Sequence, residues 1–328
     1  MAEEERGLSI DPYKHLNIIP NKDGSLTRAT TTPDVPPICN AQGRGEPRDG
    51  VLSKDVALNP AQATWIRIFA PHRPEQHHDL KLPVIIYMHG GGFILCSAAT
   101  APFDAFNATM AREVPAIVVS VNYRLAPEHP LPAAYDDALD ALRFVAAQAD
   151  PWLAEFADLS RCFLMGSSAG GNMVYHVALR ALNEDLGQAK VVGLIMNQPY
   201  FGGAERTESE LRLANDPIVP LASNDLMWEL ALPKGADREH EFCNPMKPSS
   251  AVGRLPRCMV WGHEGDPLSD RQKSFAEFLE GERVVVVARF LEGGSHAVEL
   301  FDPRKARYLL SQVKHFVEST GVTANANI

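Results

Sequence analysis

The sequence predicts an α/β fold: a mostly parallel central sheet flanked by helices, organised as one domain over 1–328. Two observations predict it. Short apolar runs that end in polar or glycine residues recur along the chain, and such runs make strands buried on both faces of a parallel sheet. Stretches with helical spacing alternate with them, which is the order of a doubly wound sheet. A third observation bears on chemistry. The segment Gly166-Ser167-Ser168-Ala169-Gly170 stands where one apolar run meets the next helix.

Residues 1–60 are rich in Pro, Asn, Asp and Gly and read as irregular, with one short helix near 12–16. Their apolar content is too low to fold alone, so they are expected to pack onto the body. Segment 64–71 (TWIRIFAP) alternates and reads as a strand. Buried runs follow at 82–92, 116–124, 161–166, 191–197, 257–262 and 283–290. Helical patterns lie between them, about 100–112, 133–148, 170–184, 269–280 and 303–318. Residues 202–250 break the alternation with several prolines and two short amphipathic pieces, near 206–213 and 223–231. An insertion there, over the carboxyl edge of the sheet, would serve as a cap.

Composition excludes several classes. A hydrophobic fraction of 45% supports a large core, so no disulfide framework is needed. The net charge of −10 disfavours nucleic acid and anionic membranes as partners. Five cysteines show no CxxC pair, so neither disulfides nor a zinc site is expected, and Cys162 and Cys258 read as core residues. No run of about 18 apolar residues offers a membrane span. The start MAEEERGLSI is acidic and polar, unlike a secretory signal, and the end TANANI carries no lipidation signal. A reducing, cytoplasmic setting is expected. Monomer and dimer both stay open.

Gly166-Ser167-Ser168-Ala169-Gly170 matches G-x-S-x-G, a tight strand-to-helix turn that lifts its middle serine clear of the sheet edge. In that register Ser168 is the nucleophile and Ser167 the x residue. Small flanking residues, Gly166 and Gly170, let strand and helix approach closely. The helix N-terminus adds a positive dipole there.

A tetrahedral intermediate needs N–H donors for its oxyanion. The run His89-Gly90-Gly91-Gly92 follows a buried strand directly. Gly91 and Gly92 are expected to donate, with Ala169 as the third donor, and Gly90 could hold the turn instead. His89 is expected to orient the loop through a hydrogen bond. No phosphate-loop or dinucleotide pattern competes.

The base and its orienter should follow the serine, in the order Ser, Asp or Glu, His. After the run 257–262 come Glu264, Asp266 and Asp270. Asp266, in the turn before Pro267, is the first choice and Glu264 the second. Asp270 reads as a helix-capping residue. Of eleven histidines, His15, His72, His77, His78, His240 and His315 stand in polar settings, and His129 in a Pro-rich turn. His176 follows on the helix after the serine, and His263 precedes the acidic loop. His296 combines chain order, spacing and a loop at a strand's carboxyl end. The expected chemistry is acyl transfer: His296 deprotonates Ser168, and Asp266 holds the imidazole.

The stretch YRLAPEHPLPAAYDD (123–137) reads as scaffold below the glycine loop. Three prolines stiffen it, and Asp136 and Asp137 suit the first turn of the next helix. Arg124 is expected to pair with one of them.

These motifs together resemble the plant carboxylesterases of the hormone-sensitive-lipase-like group of α/β-hydrolases. The resemblance spans nearly the whole chain and includes DPYKHLNIIPNKDGSLTR, HGGGF, VNYRLAPEHPLPAAYDDALDAL, GSSAGGN, NQPYFGG, NDLMWELALP, DREHEFCNP, GHEGDPLSDRQ and GGSHA. It implies a capped fold, no cofactor, no metal, a Ser168–Asp266–His296 triad, and an N-terminal segment that joins the cap. Ser167 departs from many relatives, which carry Asp there. A small or medium ester is the implied substrate. Related proteins also include lyases that dehydrate hydroxyisoflavanones or close alkaloid rings, intramolecular acyl transferases, and the gibberellin receptor. That receptor type has lost the triad histidine, whereas His296 is present here. Cap residues such as Leu211, Ile218, Leu226 and Met227 are expected to shape the pocket.

Overall fold

The computed structural model describes residues 10–29, 32–40, 42–72, 80–247 and 249–320. The expectations for His77, His78, the first nine residues and the last eight therefore lie outside the described residues. In chain order the elements are α1 (Pro12–His15), β1 (Ile18–Pro20), β2 (Leu26–Arg28), β3 (Val51–Asn59), β4 (Thr64–Pro71), β5 (Leu82–Met88), α2 (Ala101–Glu113), β6 (Ile117–Asn122), α3 (Ala133–Ala146) and α4 (Pro151–Phe156). Then follow β7 (Ala157–Ser167), α5 (Ala169–Ala181), β8 (Val191–Asn197), α6 (Glu208–Arg212), α7 (Leu221–Ala231), β9 (Arg257–His263), α8 (Ser269–Gly281), β10 (Val286–Leu291) and α9 (Pro303–Ser319).

Eight strands form one sheet in the order β10-β9-β8-β7-β5-β6-β4-β3. The pairs from β6 to β10 are parallel, and β4 and β3 close the far edge antiparallel. The middles of the central strands are largely apolar because both faces of the sheet are covered. Ile86, Val119, Leu164, Leu194 and Val260 point toward α3, α5 and α8. Ile85, Tyr87, Phe163, Ile195 and Met259 point the other way, onto α2 and α9. This is the α/β-hydrolase arrangement.

One expectation is corrected. Residues 51–59 are not irregular: they form β3, the sheet's edge strand, paired with β4. The charged pair Lys54-Asp55 hides the alternation, yet both charges are engaged. Lys54 is buried against Asp150 at 2.9 Å and lies over Trp152, and Asp55 pairs with the buried Arg67. Charged residues of this kind blunt a sheet edge. The β1–β2 hairpin and α4 also appear where no element was expected.

The carboxyl ends of β5, β7, β8 and β9 lead into the segments that build the site. Leu16 after α1, and Ile218, Val219 and Met227 of the insertion, line the same cavity as Ser168. α1 packs on α7. Arg28, at the end of β2, bonds Glu128 and the carbonyls of Ile94 and Ala126, which ties the hairpin to the loops below. α6 is fixed to α8: buried Arg271 pairs with Glu210, and Asp270 accepts from the Ser209 N–H at 2.7 Å. Asp270 stands in the first turn of α8, as expected, but its carboxylate tethers the insertion instead of capping its own helix. No helix among the described residues is long and apolar enough to cross a membrane.

Candidate active site

Ser168 sits between β7 and α5 with φ 57° and ψ −120°. A non-glycine residue there is strained by about 1–3 kcal/mol and needs surroundings that impose it. The surroundings are visible. Ser168 N–H donates to the Asn197 carbonyl at 2.9 Å, and the Ser168 carbonyl accepts from Tyr200 N–H at 2.9 Å. The turn also demands small neighbours. A Cβ on Gly166 would collide with the Gly170 carbonyl, and one on Gly170 with the Met88 carbonyl.

His296 Nε2 lies 2.9 Å from Ser168 Oγ, and His296 Nδ1 lies 2.8 Å from Asp266 Oδ2. All three residues are buried. The second ring nitrogen bonds the carboxylate, so Nδ1 carries the proton and Nε2 is left to accept from the serine. Asp266 takes three further bonds: Leu268 N–H on Oδ1, and the side-chain amides of Gln198 and Gln272 on Oδ2, each at 2.9 Å.

Burial alone would push Asp266 up. The histidine charge and these hydrogen bonds outweigh it and hold the carboxyl below the usual aspartate value. Burial alone would push His296 down. The Asp266 carboxylate outweighs that, with Glu299 and Asp216 adding to it, and holds the imidazole above its ordinary value of 6.5.

The glycine loop closes the other side. Gly90 approaches the serine so closely that a Cβ on it would stand 3.1 Å from Ser168 Cβ. Gly91 has φ 115° and Gly92 φ 59°. Among the described residues, no group accepts from the N–H of Gly91 or Gly92. Ala169 opens α5, where the first N–H groups have no intrahelical acceptor. His89 bonds the Gly90 carbonyl at 2.8 Å and stacks on Tyr123, whose hydroxyl donates to the His89 carbonyl. Burial pushes its pKa down to about 4, so the ring is neutral at pH 7.

An apolar cavity of about 160 Å³ joins these parts. Gly90, Gly91, Gly92, Ser168 and His296 line one side, and Leu16, Tyr200, Ile218, Val219 and Met227 face them.

The family model described as alpha/beta hydrolase fold matches residues 85–300, which include all of Ser168, Asp266 and His296. Probable carboxylesterase 8 of Arabidopsis thaliana is 47% identical, covering 98% of each chain. The 3-O-acetylpapaveroxine carboxylesterase CXE1 of Papaver somniferum is 44% identical, over 94% of this chain and 97% of its own. The chain belongs to the plant carboxylesterase family. A Pyrobaculum calidifontis esterase structure superposes with TM-score 0.72 at 28% identity, over 85% of this carboxylesterase and 87% of that chain.

Other residues of this carboxylesterase land away from the site. Glu264 is an exposed partner of Lys273. Of the residues expected to shape the pocket, Ile218 and Met227 line it, while Leu211 is exposed and Leu226 lies in the core. Arg124 pairs with Asp137 at 2.8 Å, and Asp136 faces Arg180 instead. His176 is buried and stacked on Tyr135. Gln198, Gln272 and Glu299 were missed, because amides and an isolated glutamate at these positions belong to no spacing pattern.

Proposed function

We propose that this carboxylic-ester hydrolase acts through Ser168, His296 and Asp266, with Gly91, Gly92 and Ala169 as oxyanion donors. The observation that supports it most is the unbroken line Ser168 Oγ–His296 Nε2 and His296 Nδ1–Asp266 Oδ2, at 2.9 and 2.8 Å. His296 takes the hydroxyl proton as Ser168 attacks the ester carbonyl. The three N–H groups receive the oxyanion, each contributing roughly 2.7–4 kcal/mol. The intermediate collapses, and His296 returns the proton to the departing alcohol. Water, deprotonated by the same nitrogen, then attacks the acyl-serine and releases the acid.

The N-terminal segment and the 202–250 insertion act as a cap in this reading, since α1, α7 and the 213–220 stretch supply the far wall of the cavity. Its small, apolar lining suits short-acyl esters of apolar alcohols. All five cysteines are free, which fits a reducing, cytoplasmic setting.

Hydrolysis of p-nitrophenyl acetate or butyrate, with stoichiometric labelling of Ser168 by an organophosphonate seen in the intact mass, tests the proposal. Turnover of no short ester, together with no labelling, would overturn it.

A further inference from the structure

Glu299 is a buried carboxyl group that the proton relay does not use. It is 5% exposed and sits in the short turn directly after His296 and Ala297. Asn197 Nδ2 donates to Glu299 Oε1 at 2.6 Å and to Ser167 Oγ at 3.0 Å. Ser167 Oγ also accepts from the Tyr87 hydroxyl at 3.1 Å. The Asn197 amide thus gives one donor hydrogen to Glu299 and one to Ser167.

The same Asn197 holds the elbow. Its backbone carbonyl accepts the Ser168 N–H at 2.9 Å. One residue at the end of β8 therefore grips the serine by its main chain and the histidine turn by its side chain. A buried carboxyl group is costly unless hydrogen bonds compensate it, and here the compensating bonds join the two segments whose spacing sets the Ser168–His296 distance.

We propose that Glu299 is a positioning residue of the esterase reaction, clamping the His296 turn to the Ser168 elbow through Asn197. This rests on Ser168 and His296 being nucleophile and base. The far side of Glu299 lines a separate groove of about 200 Å³ between α2 and the start of α9, rimmed by Arg112 and Arg307. The space left in Glu299→Ala would adjoin that groove, from which a small carboxylate in solution would enter it.

The test measures kcat and KM for p-nitrophenyl acetate, and the rate of organophosphonate labelling at Ser168, in Glu299→Ala, Glu299→Gln and Asn197→Ala. Glu299→Ala is expected to lower kcat by about 10- to 100-fold with KM within about two-fold, as for misplaced reacting groups. Its labelling rate falls in parallel. Glu299→Gln keeps an acceptor for Asn197 and recovers most of the loss. Sodium formate restores Glu299→Ala saturably and leaves the wild type unchanged. Wild-type kcat in Glu299→Ala, or a loss that neither Gln nor formate reverses, would overturn the proposal. If Glu299→Ala does not fold, Asn197→Ala decides: a lowered kcat at constant KM supports the clamp, and an unchanged kcat overturns it. A wild type that is not labelled at all would instead sink the role of Ser168.

Discussion

His296 presents Nδ1 to Asp266 Oδ2 across 2.8 Å, with both side chains shut off from solvent. With His296 as the proposed base, the contact would set the pH range of the enzyme. A general base works only when neutral, and the carboxylate raises the pH at which His296 loses its proton. Activity is therefore lost as pH falls through a raised value. The acid limb of kcat/KM should have its inflection above 6.5, the ordinary histidine value. Asp266→Asn should move that limb downward and lower kcat by about 10⁴-fold, since the tautomer is no longer held. A pH–rate profile of both proteins checks this, and a limb below 6.5 in the wild type would contradict it.

The two serines of the elbow should answer differently to substitution. Ser168→Ala should abolish both turnover and organophosphonate labelling. Ser167→Ala should keep labelling at Ser168 and lose at most about ten-fold in kcat, the scale of one neutral hydrogen bond. Equal loss in both would refute the assignment. Ser167→Asp sets a second carboxyl group against Glu299, since both side chains share the Asn197 amide. It should be less active than Ser167→Ala, and adding Glu299→Gln should bring activity back. Measuring all four by steady-state kinetics separates charge repulsion from simple loss of a hydroxyl.

The parts most legible in the sequence were those with a period or a fixed spacing. The buried strands announced themselves because both faces of the sheet are covered, and Ser168 because only glycines fit at 166 and 170. β3 was hidden because Lys54 and Asp55 find partners, Asp150 and Arg67, that come from elsewhere in the chain. Gln198 was hidden for a related reason. Its value lies in reaching Asp266, 68 residues away, and Ser295, 97 residues away, and no local pattern encodes such a reach.

Gln198 carries the next prediction. Its amide nitrogen donates to Asp266 Oδ2 at 2.9 Å and to the Ser295 carbonyl at 3.0 Å, while its oxygen accepts from Ala297 N–H at 2.9 Å. It thus fixes the carboxylate and both neighbours of His296. Gln198→Leu removes a hydrogen bond to a charge, worth about 1.5–3 kcal/mol. If that stabilisation is felt in the transition state, kcat falls by about ten-fold or more with KM little changed. Steady-state kinetics decide it, and a rise in KM alone would mean that Gln198 only shapes the pocket.

Met227 should set the size of the ester accepted. It projects from α7 into the cavity, so close to the glycine loop that a Cβ on Gly92 would strike its side chain. Met227→Ala enlarges a cavity of about 160 Å³ beside Ser168. Each methylene accommodated in an apolar pocket is worth about 1–3 kcal/mol, so the ratio of kcat/KM for hexanoate over acetate should rise by about ten-fold or more. The variant also loses a buried side chain, at a stability cost of about 2–5 kcal/mol, and its thermal midpoint should drop accordingly. The ratio of two substrates is insensitive to the fraction folded, which isolates the specificity effect. An unchanged ratio would place the acyl group elsewhere in the cavity, against Leu16 and Tyr200, and the same assay on Leu16→Ala would then show the shift.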